Sequence, residues 1–172
     1  MIDPRPLILT ALFEPGVQAR FEALRRAHYP VALNQVPAHV TLFHQLPGRE
    51  IDAVRRRLKT ICAEVAPPPV LVTGLRAQGQ GAAFKLQSPL REDVRAELAA
   101  GWDTLLIPQD RAGFRPHLTV QNKATPETAR ATLRALEAAF VPFASRFVAI
   151  ALWRYCDGAW EALGSTAFRG KP

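Results

Sequence analysis

Apolar residues along this chain switch between a period of two and a period near 3.6, which marks an alternation of strands and helices. Residues 7–13 form an apolar run bounded by Pro6 and Pro15 and read as a first strand. Val17, Phe21, Leu24 and His28 recur at helical spacing and predict an amphipathic helix over 16–28 that stops before Pro30. A strand carrying His39 follows. Ile51, Val54, Leu58, Ile61, Cys62 and Val65 then trace a second helix, ended by Pro67-Pro68-Pro69. Residues 70–77 and 82–87 read as two strands joined by Gln78-Gly79-Gln80-Gly81. Ser88-Pro89 supplies a cap and a first-turn proline for a third helix with Leu90, Val94 and Leu98 inward and Gly101 at its end. A further strand is expected over 102–107, then a loop over 108–116. Thr125-Pro126 opens a fourth helix striped by Ala129, Leu133, Leu136 and Phe140, and strands over 147–155 and 160–168 flank the hairpin signal Asp157-Gly158.

Two triplets inside this pattern carry chemistry. His39-Val40-Thr41 and His117-Leu118-Thr119 lie 78 residues apart, each just after a proline and each continuing into apolar residues. In a strand, positions i and i+2 share a face, so each triplet presents an imidazole beside a hydroxyl while Val40 or Leu118 points to the core. Adjacent placement of the two strands gives two acid/base groups and two hydrogen-bond donors around a space the size of a phosphoryl group. The triplets also phase a repeat of His strand, helix, strand, glycine turn and strand: Gly79 lies 40 residues after His39 and Gly158 lies 41 after His117. Such a repeat predicts a pseudo-twofold arrangement with the histidines on opposite sides of one cleft.

Composition narrows the setting. A chain of 172 residues that is 48% hydrophobic can bury the core of one domain or one two-lobed unit, and its composition is not that of a disordered chain. Its 22 Lys+Arg against 15 Asp+Glu give a net charge of +7, a field that attracts nucleotides or RNA, although runs such as Arg55-Arg56-Arg57 read as solvated helix surface. Cys62 and Cys156 have neither zinc nor disulfide spacing, which fits a reducing cytoplasm. The opening residues read as a strand rather than a leader, and no apolar stretch is long enough for a membrane span. Nothing in the pattern requires a protein partner, and a monomer is expected.

The segments Pro37-Ala38-His39-Val40-Thr41-Leu42-Phe43 and Arg115-Pro116-His117-Leu118-Thr119-Val120 resemble the paired motifs of the two-histidine (2H) phosphoesterase superfamily, in particular its bacterial 2'-5' RNA ligase family proteins. The resemblance implies an α+β, bilobal fold over 1–172, with two antiparallel sheets facing a central cleft and helices outside. It implies metal-independent hydrolysis of 2',3'-cyclic phosphates of nucleotides or RNA ends without a cofactor. His39 and His117 would be the acid/base pair, and Thr41 and Thr119 the donors to phosphate oxygens. Where relatives acting on RNA ends place an arginine shortly after the second motif, this chain has Gln121-Asn122-Lys123; Lys123 shares the strand parity of His117 and is the candidate replacement.

Further candidates for holding substrate are Phe43, Trp153 and Tyr155, as stacking surfaces on strands near the motifs, and Arg115 in the loop before His117. His44 falls on the opposite parity from His39 in a regular strand and reads as structural. A metal site built from His39, His44 and His117 would lack carboxylate or thiolate companions. Three alternatives remain beside hydrolysis: a 2'-5' RNA ligase using the same site, a nucleotide- or RNA-binding module without turnover, and two histidines with purely structural roles.

Overall fold

A computed structural model describes residues 3–171, without the side chains of 91 and 92; Met1 and Ile2 of the opening segment lie outside it. The elements run β1 (Leu7–Phe13), α1 (Pro15–His28), β2 (Val40–Leu46), α2 (Ile51–Glu64), β3 (Pro69–Ala77) and β4 (Ala82–Gln87). A π-helical turn, Arg91–Arg95, continues into α3 (Ala96–Ala100), followed by a single turn α4 (Pro108–Arg111), β5 (His117–Gln121), α5 (Pro126–Ala138), β6 (Phe143–Cys156) and β7 (Ala159–Ala167). The local signals explain these limits. Proline occupies the first turn of α1, α4 and α5, and the Thr125 hydroxyl accepts from the Thr128 N–H at the start of α5. Asp157 and Gly158 both take positive φ, as the tight β6–β7 hairpin requires.

All strands pair antiparallel in the order β2-β1-β6-β3-β4-β5, with β7 also on β6. The expected two sheets are therefore halves of one curled sheet sharing β6. Residues 143–146 of that 14-residue strand pair with β3, and its later part pairs with β1 and β7. The element order repeats as the glycine spacing predicts, but the repeat is phased from β1: each histidine strand pairs with the strand before it, β2 with β1 and β5 with β4. Although β2 and β5 end opposite sides of the strand order, their Cα atoms come within 8 Å.

Helix α1 packs on β5 and β1, α5 on β3 and β4, and α2 on β7. The core crosses from one half to the other through Phe21 of α1, whose ring lies 5.0 Å from Phe13 of β1 and 5.2 Å from Phe84 of β4. One expected strand is absent: residues 102–107 form turns, with the Trp102 N–H donating to the Ala99 carbonyl and the Leu105 N–H to that of Trp102. Their apolar positions, Trp102 and Leu106, are spaced for a turn rather than alternating, and both are buried. Among the described residues, no helix is long and apolar enough to cross a membrane.

Candidate active site

His39 sits directly before β2 and His117 begins β5, each shortly after a proline. Both rings are anchored in the same way. His39 Nδ1 is 2.7 Å from the Pro37 carbonyl and His117 Nδ1 is 3.0 Å from that of Arg115, in each case two residues upstream. A carbonyl only accepts, so Nδ1 carries the hydrogen and Nε2 is left for a ligand. Thr41 and Thr119 follow on the exposed side of their strands, while Val40 and Leu118 are fully buried. The hydroxyls of these two threonines have no hydrogen-bond partner among the described residues.

Electrostatics couples the pair. Burial pulls the His39 pKa from 6.5 to about 4, aided by positive charge on Arg25, His117 and His44, against the opposing pull of the Pro37 carbonyl. His117 is also lowered, first by burial and then by charge on Arg76 and His44. Both imidazoles are thus neutral near pH 7, each within electrostatic reach of further cations that favour an anionic ligand between them.

The strand edges carrying the motifs are held from across the molecule. Arg25 of α1, 3% exposed, donates to the Thr119 carbonyl at 2.9 Å and to Asn34 Oδ1 at 3.1 Å. Arg95, before α3, donates to the Leu42 carbonyl on β2 at 2.9 Å and also to the Asp110 carbonyl. Edge strands leave carbonyls unpaired, and these two arginines satisfy them while fixing the motifs against the other half of the fold.

The remaining candidates divide. Trp153 donates its indole N–H to Thr10 Oγ1 at 2.9 Å, and Tyr155 lies 39% exposed on the same strand. Directly opposite Tyr155 is Trp160, which sequence reasoning left without a role; its ring stands 4.9 Å from His39 and 6.1 Å from Trp153. The signal for it was available, because a two-residue turn at Asp157-Gly158 fixes that register. Arg115 is exposed and lines a cavity beside His117.

Two expectations fail. Phe43 is fully buried, edge-on to Trp102 at 5.5 Å and covered by Arg95, so it is core and offers no face to a base. Lys123 is not on the strand: β5 ends at Gln121, and Lys123 takes φ 58° in a turn tied by the Asn122 side chain to its own N–H and to that of Gln80. Parity counted along the strand therefore does not reach it.

The same irregularity that buries Phe43 turns His44 outward. Between the pairs Thr10↔Thr41 and Leu9↔Phe43 the partner strand gains an extra residue, and Leu42 and Phe43 both face inward. His44 then lies on the outer side with Thr41. Its Nδ1 is 2.8 Å from Asp110 Oδ1, and the Asp110 carboxylate, 1% exposed, also accepts the backbone N–H groups of His44 and Gln45. Burial opposes ionisation of Asp110, but these hydrogen bonds prevail and hold its pKa below the ordinary value. Among the described residues, no cluster of three or more His, Cys, Asp or Glu is arranged to hold a metal ion.

Comparison with known proteins decides the family. The model of the 2'-5' RNA ligase superfamily matches residues 13–159. The chain belongs to the 2'-5' RNA ligase superfamily. The superfamily's fold is also found in TT0787 of Thermus thermophilus, at 19% identity and TM-score 0.69, covering 97% of this chain and 100% of that one. E. coli LigT complexed with 3'-AMP matches at 15% identity and TM-score 0.55, covering 96% and 99%. LigT complexed with NADP+ matches at 14% identity and TM-score 0.50, covering 97% and 99%. The sequence matches no curated protein.

Proposed function

We propose that the protein is a cytoplasmic, metal-independent phosphodiesterase that opens 2',3'-cyclic phosphates on nucleotides or RNA ends. The observation that carries this reading is the matched anchoring of His39 and His117, each held through Nδ1 by a carbonyl with Nε2 left free, on strands whose Cα atoms come within 8 Å. His39, the histidine pulled to about 4, is the base. Its Nε2 takes a proton from water as the water oxygen bonds to phosphorus. His117, protonated in the presence of the anionic substrate, gives its Nε2 proton to the ribose oxygen whose bond to phosphorus breaks, leaving a ribose phosphomonoester. Thr41 and Thr119 donate to the non-bridging oxygens as charge accumulates on them. The two imidazoles supply both proton transfers, so this chemistry needs no metal. That the LigT structures hold 3'-AMP and NADP+ supports a nucleotide as ligand here as well.

The test is hydrolysis of the four nucleoside 2',3'-cyclic phosphates and a short RNA ending in one, in EDTA. Activity should survive chelation and fall roughly 10²- to 10⁴-fold in each of His39→Ala and His117→Ala. Saturable RNA binding with no turnover of any of these substrates would overturn the reading.

A further inference from the structure

Beside His117 the sheet opens into a cavity of about 470 Å³ lined by Thr73, Arg76, Lys85, Ser88, Phe114 and Arg115, among others. The volume suits a phosphate with part of its sugar. Lys85 is the register partner of His117, so the two side chains stand next to each other on one face of the sheet. Across β3, Lys85 is paired with Gly74, and a Cβ at that position would lie 3.1 Å from Lys85 Cε. The lysine stem thus lies over Gly74, where a side chain would press on it. Arg76 lies two residues further along β3 on that face, and its charge is felt at His117. Its Nε is buried without a hydrogen-bond partner among the described residues.

The two hydroxyls of the cavity are already committed, while the Gln87 amide stands exposed beside the cations. Thr73 Oγ1 donates to the Lys85 carbonyl and Ser88 Oγ to that of Pro69. Three cations with no acidic residue in the lining are left, one of them holding a buried, unanswered N–H. Desolvating an arginine N–H without a partner is costly, and a phosphate oxygen is the acceptor that answers both its hydrogen and its charge.

We propose that this cavity binds a second phosphate, the one on the 5' side of the nucleotide whose cyclic phosphate is opened, through Arg76, Lys85 and Arg115. The assignment to the 5' side rests on the phosphodiesterase reading: a strand ending in a 2',3'-cyclic phosphate continues only through the 5' oxygen of its last nucleotide. The substrate class is thereby an RNA end or a 5'-phosphorylated nucleotide rather than a nucleoside cyclic phosphate without a further phosphate.

Equilibrium binding tests this without turnover. Adenosine 3'-monophosphate, adenosine 3',5'-bisphosphate and a dinucleotide ending in a 3'-phosphate are titrated into the wild type, Arg76→Gln, Lys85→Gln, Gly74→Val and the surface control Arg134→Gln. The ligands with two phosphates should bind about tenfold more tightly than the monophosphate at low salt, with a steeper salt dependence. Arg76→Gln and Lys85→Gln should narrow that ratio, Gly74→Val should narrow it without removing a charge, and Arg134→Gln should leave it. A gain with the dinucleotide assigns the cavity to an RNA strand, and a gain confined to the bisphosphate assigns it to a mononucleotide. Equal affinity for all three ligands, or a ratio indifferent to residues 74, 76 and 85, overturns the proposal. Because hydrolysis is not the readout, a binding gap in a protein that opens no cyclic phosphate would sink the phosphodiesterase reading alone.

Discussion

The two halves of the curled sheet hold their histidines identically and surround them differently. Around His39 the wall is aromatic: Trp160 against the ring, Trp153 behind it and Tyr155 beside them on the β6–β7 hairpin. Around His117 the wall is cationic, with Lys85 as its cross-strand neighbour and Arg76 and Arg115 lining the adjoining cavity. The repeated part of the scaffold supplies two histidines anchored alike, the acid/base pair of the proposed function. Unrepeated side chains give the cleft a direction, aromatic at one end and cationic at the other, which in the proposed function would receive the base and the phosphate.

Among changes that test this difference between the halves, the largest effect should come from removing the aromatic wall. A stacked base contributes about 1–3 kcal/mol, so Trp160→Ala should reduce the preference for a nucleoside substrate over a base-free cyclic phosphate roughly ten- to hundredfold in kcat/KM. An unchanged preference would mean that the difference between the halves does not orient the substrate. Next come the arginines that join the halves. Arg25→Met strands the Thr119 carbonyl, and Arg95→Met strands those of Leu42 and Asp110. Each should cost about 1–3 kcal/mol of stability, read as a lowered midpoint in denaturant, because a buried acceptor loses its donor. A large loss in only one variant would show that the halves are not held symmetrically.

The smallest effect is in the pH profile. His39 must be neutral and His117 protonated for the proposed step. In the free enzyme, kcat/KM should fall below about 4 as His39 gains its proton, and fall again above the depressed pKa of His117. Its optimum thus lies on the acid side of 6.5, while kcat, measured with the anionic substrate bound, peaks at higher pH. The same shifts act on stability. Both folded-state pKa values are depressed, so stability is full above the unfolded value near 6.5 and declines as pH falls toward 4, and His39→Gln should flatten that decline. A kcat/KM optimum well above 7 would contradict the electrostatics assigned to both histidines.

Local features were legible wherever one signal dominated. The repeated His-X-Thr triplets, the Thr125-Pro126 helix start and the Asp157-Gly158 turn each act over a few residues, and each sits where the pattern placed it, whereas the single turn of α4 at Pro108 falls in a stretch expected to be loop. Phe43, His44 and Lys123 were misplaced by one shared assumption, that a strand keeps its parity and its length. A bulge in β2 changes the faces of Phe43 and His44, and a positive φ at Lys123 takes the chain out of register altogether.

The sequence by itself determined the order of the elements outside residues 102–111 and the two pairs of His and Thr. All of these follow from backbone preferences within a few positions. Only the tertiary structure decided that the ends of the sheet meet, that Asp110 orients a third histidine 66 residues away in sequence, and that Arg76 and Lys85 stand beside His117. Those placements depend on which strands pair and in what register. Register is set by the packing of the whole core, which no short window of sequence contains.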